Sequence, residues 1–157
     1  MSKKKRIIVS IIAILILSMC VLFLWPRSFE DVSQEVKSIA VVVIEESFDH
    51  DNMTYVYNEQ DLEFAAIIET LDRYSYHMSS KTISSCFSDG AHLEGNEAGY
   101  WLHIYLYTEP DRYGECYGII SGGTGDIAVK DVVYRIGYIG NSTAIKMMDE
   151  VCQIVTQ

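Results

Sequence analysis

Hydrophobic and polar positions divide this chain into one long apolar stretch and a series of short periodic ones. Residues 7–25 run for 19 positions without a charge, and only Ser10, Ser18 and Cys20 break the aliphatic and aromatic side chains. At about 1.5 Å of rise per residue the run reaches roughly 28 Å as a helix, close to the ~30 Å hydrocarbon core of a bilayer. Trp25 stands where an interfacial aromatic anchor belongs, and Pro26 ends the helix beyond it. Lys3, Lys4, Lys5 and Arg6 precede the run with no acid among them, which predicts a cytoplasmic N-terminus and everything after Trp25 outside. A cleaved signal peptide has a shorter apolar stretch and small residues at its exit. Here the exit is Leu24-Trp25-Pro26-Arg27. Leu17-Ser18-Met19-Cys20 resembles a lipobox only loosely, since Met19 is bulky and the apolar run continues past Cys20. An uncleaved anchor over residues 7–25 is the expectation, with residues 1–6 as its basic tail.

The remaining periodicities are short. Residues 38–45 form a β-branched run and predict a buried strand, and residues 53–57 alternate as a second strand hairpinned to it. Asn58 is a suitable N-cap, with Glu59, Asp61 and Glu63 where the helix dipole favours negative charge. Phe64, Ile67, Ile68, Leu71 and Tyr74 then recur at helical spacing, which predicts an amphipathic helix over 59–73. Residues 74–86 favour an edge strand, and 87–99 read as a loop. Residues 100–108 give the clearest strand. Further strands are expected over 115–121, 127–130 and 132–138, and a closing helix runs from Asn141 or Ser142 to Val155, burying Ala144, Met148, Val151, Cys152 and Val155.

Strands joined by short turns pair antiparallel, and two helices suffice to cover one face. The fold class is therefore α+β: an N-terminal transmembrane helix followed by a twisted antiparallel sheet with two helices packed on one face. Residues 26–37 are expected to be a polar tether and 38–157 one extracytoplasmic domain.

Charge sharpens this picture. All 22 acidic residues lie beyond Arg27 but only seven of the 12 basic ones, so that portion has a formal charge of −15. Such a balance repels nucleic acid and favours cationic partners. Three cysteines lie there, Cys86, Cys116 and Cys152. Their odd number precludes full pairing within the chain, and Cys86 with Cys116 is the candidate disulfide.

The segments DLEFAAIIETLDRYSYH, YWLHIYLY and GDIAVKDVVYRIG, placed after a basic start and one apolar helix, resemble small membrane-anchored extracytoplasmic domains of unknown function in Gram-positive bacteria. The resemblance is one of pattern. It implies placement and fold, and it brings no activity with it.

Candidate chemistry centres on the 100–108 strand. Alternation puts Leu102, Ile104 and Leu106 on one face and Trp101, His103, Tyr105 and Tyr107 on the other. With helices on the aliphatic face, the aromatic face is a candidate surface for protein or sugar recognition. Asp49-His50-Asp51-Asn52 gathers oxygen ligands but lacks the glycine of an EF-hand loop, and reads as a hairpin turn. Cys86, His92, His103 and Cys116 lack the close pairs of a structural zinc site. No serine has a nucleophile-elbow setting, and Gly122 to Asp126 lacks the Lys-Ser/Thr of a P-loop. The expectation is a membrane-tethered, non-enzymatic recognition or accessory module without a cofactor. It contacts the lipid bilayer through residues 7–25 and binds a protein partner, a basic one by its charge. The rival reading is an envelope hydrolase gathering Asp49, His50 and Asp51, or His92 and His103, in a cleft, and a passive structural domain is the third.

Overall fold

The computed structural model of the chain describes residues 2–33, 36–44, 53–85, 102–110, 116–121, 124–130, 132–138 and 140–157. The alternating segments form strands β1 (Ser38–Val43), β2 (Met53–Asn58), β3 (Tyr76–Met78), β4 (Leu102–Tyr107), β5 (Cys116–Ser121), β6 (Asp126–Val129) and β7 (Val132–Ile136). They make one sheet in the order β2-β1-β4-β5-β6-β7-β3, and every neighbouring pair is antiparallel. β1, a continuous β-branched run, lies between β2 and β4 with Ser38 to Val41 all buried, as such composition demands of an inner strand.

Two amphipathic helices cover one face. Helix α3 (Leu62–Asp72) turns in Phe64, Ile67 and Leu71, and α5 (Ser142–Val155) turns in Ala144, Met147, Met148, Val151 and Val155. These side chains share one core with alternate residues of the strands, among them Ile39, Val41, Leu102, Ile104, Leu106, Ile120 and Ile136. Each fully buried aliphatic contributes about 1.5–3 kcal/mol relative to exposure, so this layer is the main source of stability. The α+β expectation holds, with an N-terminal apolar helix followed by the sheet. Within α5, Met147 is buried although the sequence reading passed over it, and Cys152 is only half-buried.

Helix α1 (Lys3–Leu24) is long and apolar enough to cross a membrane, and none of its side chains is buried. Part of the segment expected as a tether, residues 27–33, packs on the domain. Arg27 pairs with Tyr76 at the outer edge of β3 through two backbone hydrogen bonds of 2.9 and 3.0 Å. Ser28 and Asp31 then form a reciprocal capping box, which starts the short helix α2 (Phe29–Val32). Phe29 and Val32, one helical turn apart, enter the core, with the Phe29 ring 5.9 Å from that of Tyr76. The polar surface of this stretch belongs to a docked helical turn.

Two boundaries also shift. Helix α3 begins at Leu62 rather than Glu59, because Asn58, Gln60 and Asp61 close a turn among themselves: the Asn58 N–H donates to Asp61 Oδ2 at 2.8 Å and the Gln60 N–H to Asn58 Oδ1 at 2.9 Å. Of the edge strand expected over 74–86, the described residues form a strand only at β3. A short helix α4 (Lys81–Ser85) follows, where the Thr82 hydroxyl donates to the Val133 carbonyl and accepts from the Val133 N–H. That hydroxyl takes the place of a strand partner along the edge of β7.

Candidate functional site

On β4 the alternation is as the sequence dictates: Leu102, Ile104 and Leu106 are buried toward the helices, and His103, Tyr105 and Tyr107 on the opposite face are half-buried. The His103 and Tyr105 rings lie 6.4 Å apart. Trp101 lies outside the described residues. Burial holds the His103 imidazole below its ordinary proton affinity.

Registry carries a polar row across this face. His103 pairs with Ser121, Ser121 with Asp126, Asp126 with Arg135, and Arg135 with His77, so five strands each place a polar side chain in one line. Ser121 and Asp126 are buried, as are Ala128 and Val133 beside them. The middle of the face is therefore covered surface, and the aromatic strip of β4 flanks it. The Asp126 carboxylate is held by Lys81, with Nζ 2.9 Å from Oδ2. A Ser–His–Asp relay needs the imidazole between the nucleophile and the acid. In this row Ser121 stands between His103 and Asp126, and Asp126 is already ion-paired, so the row does not have the order of that relay.

Cys116 is a free cysteine with its Sγ 3.2 Å from the Gly118 carbonyl. Burial pushes that thiol up. Its expected partner Cys86 lies outside the described residues, as do Asp49, His50, Asp51 and His92. Among the described residues no group of three or more His, Cys, Asp or Glu side chains is placed to hold a metal ion.

The chemistry of the helical side is different. Between α2 and α3 opens a cavity of about 560 Å³. Its apolar part is Phe29, Val36, Phe64, Ala65 and Ile68, and its polar part is Glu30, Glu59, Glu69, Asp72 and Ser33. The sequence builds it in two steps. The capping box fixes α2 so that Phe29 faces inward while Glu30 remains exposed. On α3, Ala65, Ile68, Glu69 and Asp72 recur at helical spacing along one stripe, apolar at its start and anionic at its end. The two walls are joined where the Phe29 N–H donates to Asp72 Oδ1 at 3.2 Å.

Four carboxylates thus surround an apolar floor, and among the described residues no cation lines the cavity. Among the described residues the salt bridges are Arg73–Glu150, Lys81–Asp126 and Lys146–Glu150, none of which involves these four. On β2, apart from these four, burial, then Glu63, Tyr55 and Asp61, raise the Tyr57 phenol above its ordinary range. Such a cavity suits a group with a hydrocarbon stem and a cationic head, as lysine and arginine have. Sequence reasoning missed it. The S-x-x-D of the capping box was its one local signal, and the meeting of residues 29–33 and Val36 with 59–72 is tertiary. No family model matches the chain, and neither a curated protein nor a solved structure matches it.

Proposed function

We propose that this chain is a single-pass membrane protein whose domain outside the membrane recognises a basic protein partner. The N-terminus is cytoplasmic, residues 7–25 cross the bilayer, and a lysine- or arginine-bearing segment of the partner seats in the cavity between α2 and α3. The observation that carries this reading is the cavity itself: carboxylates of Glu30, Glu59, Glu69 and Asp72 around a floor that includes Phe29, Phe64 and Ile68. Support for the placement comes from α1, whose first four residues, Lys3 to Arg6, are basic and whose remainder carries no charge. The formal charge of −15 beyond Arg27 adds long-range attraction, which raises encounter rates with a basic partner and weakens with salt. The cavity is favoured over the β4 aromatic strip, whose described members are only half-buried and are flanked in part by the buried Ser38, Ala40 and Ser121.

The test uses the full chain in detergent micelles titrated with a fluorescent Lys/Arg-rich peptide. Binding should be saturable, should fall as salt rises, and should weaken at least about tenfold in the E30Q/E59Q/E69Q variant, a loss of roughly 1.4 kcal/mol. All three side chains are exposed, so the fold should tolerate the change. Equal binding by the variant would place recognition elsewhere on the acidic surface and remove the cavity from the account.

A further inference from the structure

We infer that the occupant of the α2–α3 cavity is a cationic amphipathic helix met at the bilayer surface, rather than an extended basic tail. The inference rests on the proposed reading of the cavity and names the class of partner segment it takes.

The first support is position. Phe29 and Glu30 in the cavity wall follow Trp25, the residue after α1, by only four and five positions. Even fully extended, four residues span at most about 14 Å. The connecting chain is fixed by the pairing of Arg27 with Tyr76. The headgroup layer on each side of a bilayer is roughly 5–8 Å deep. With α1 in a membrane, the cavity opens in or just above that layer, where amphipathic cationic helices concentrate.

The second support is the shape of the apolar surface. Leu62, at the start of α3 and three residues before Ala65, is 86% exposed. It extends the apolar part of the stripe beyond the cavity, so Leu62, Ala65 and Ile68 lead to Glu69 and Asp72 on one side of the helix. From Leu62 to Asp72 the rise is roughly 15 Å, about three helical turns. An extended lysine-rich chain would satisfy the carboxylates and leave this strip in water. A helix with an apolar stripe and basic flanks satisfies both, in the helix-in-groove manner.

The experiment places the full chain in phosphatidylcholine nanodiscs, with empty nanodiscs subtracted. Three fluorescent peptides of equal net charge are compared: an amphipathic Leu/Lys helix, a scramble of the same composition without a helical stripe, and a Lys/Gly chain. The expected result is tightest binding by the amphipathic helix, with the scramble and the Lys/Gly chain weaker by about tenfold or more. L62S should weaken the amphipathic peptide severalfold and leave the Lys/Gly chain unchanged. That substitution falls on an exposed side chain, so folding is not at stake. Equal affinity for the amphipathic helix and its scramble overturns this inference while leaving the basic-partner reading intact. Failure of all three peptides to bind removes both.

Discussion

The backbone N–H of Phe29 donates to Oδ1 of Asp72 at 3.2 Å, tying the start of α2 to the end of α3 across 43 residues of sequence. Asp72 is exposed, so its charge is largely solvated, and the bond contributes mainly by fixing the chain after α1 against the domain. D72A should lower unfolding stability by about 1 kcal/mol, the ordinary net value of one hydrogen bond. D72N keeps an acceptor oxygen in place and should cost less. Thermal unfolding of the full chain in micelles, followed by near-ultraviolet circular dichroism of the tyrosines, separates the two. Equal losses would mean that the carboxylate charge, rather than the bond, holds the walls together.

A larger effect is expected at Lys81. Its ammonium is the ion-pair partner of Asp126, whose side chain is only 3% exposed, while Lys81 itself is 35% exposed. Asp126 Oδ1 is also buried and has no hydrogen-bond partner among the described residues. Removing the lysine leaves a buried carboxylate uncompensated, and K81A should cost about 2–3 kcal/mol, the lower range for breaking such a pair because water reaches one side of it. The double variant K81M/D126N should lie well above the sum of its parts in stability. A denaturant-based double-mutant cycle measures the coupling directly. Additive losses would show that the pair is not energetically linked.

Packing between β5 and its neighbours makes Gly118 irreplaceable for a reason of space. A Cβ there would lie 2.9 Å from the Ala128 carbonyl oxygen and 3.1 Å from Val129 Cγ2. The first contact is backbone in the adjacent strand, so it cannot swing aside. G118A should therefore cost about 1–3 kcal/mol through displacement of the β5–β6 ladder. Chemical denaturation reads the loss, and an unchanged midpoint would mean that the ladder yields more easily than strand pairing implies.

The legible and illegible parts of this molecule divide along local and tertiary lines. The 38–43 and 102–107 strands show in the sequence because a period of two, or a β-branched run, is a property of adjacent residues. The stripe of α3 shows for the same reason. Helix α2 was hidden by Ser28, Glu30 and Asp31, which look like solvated tether, although Ser28 and Asp31 at i and i+3 form its cap. The cavity could not be read at all, since Glu30 and Asp72 become neighbours only when α2 docks on α3. The row from His103 through Ser121, Asp126 and Arg135 to His77 depends on four strand registers, and none of those is written in any one segment.

Acid sensitivity follows from His77. Its side chain is buried, its ring lies 3.9 Å from that of Tyr138, and Arg135 is its cross-strand neighbour. Burial is the largest influence and lowers its proton affinity. The Leu24 carbonyl opposes this, the Arg27 charge lowers the affinity further, and the Trp25 carbonyl opposes again. The folded imidazole therefore protonates below its ordinary value near 6.5, and the same direction holds at His103. As pH falls through about 6.5 the unfolded chain takes up protons first, so stability is fully present above that value and declines below it. Melting temperature should fall between pH 7.5 and 5.5. Among the described residues no group meets full hydrogen-bond geometry at either ring nitrogen of His77, so H77F should stay close to the wild type at pH 7.5. The same variant should flatten the slope in part, leaving the share due to His103. An H77F variant that keeps the whole acid-induced drop would assign the effect to His103 or to the carboxylates instead.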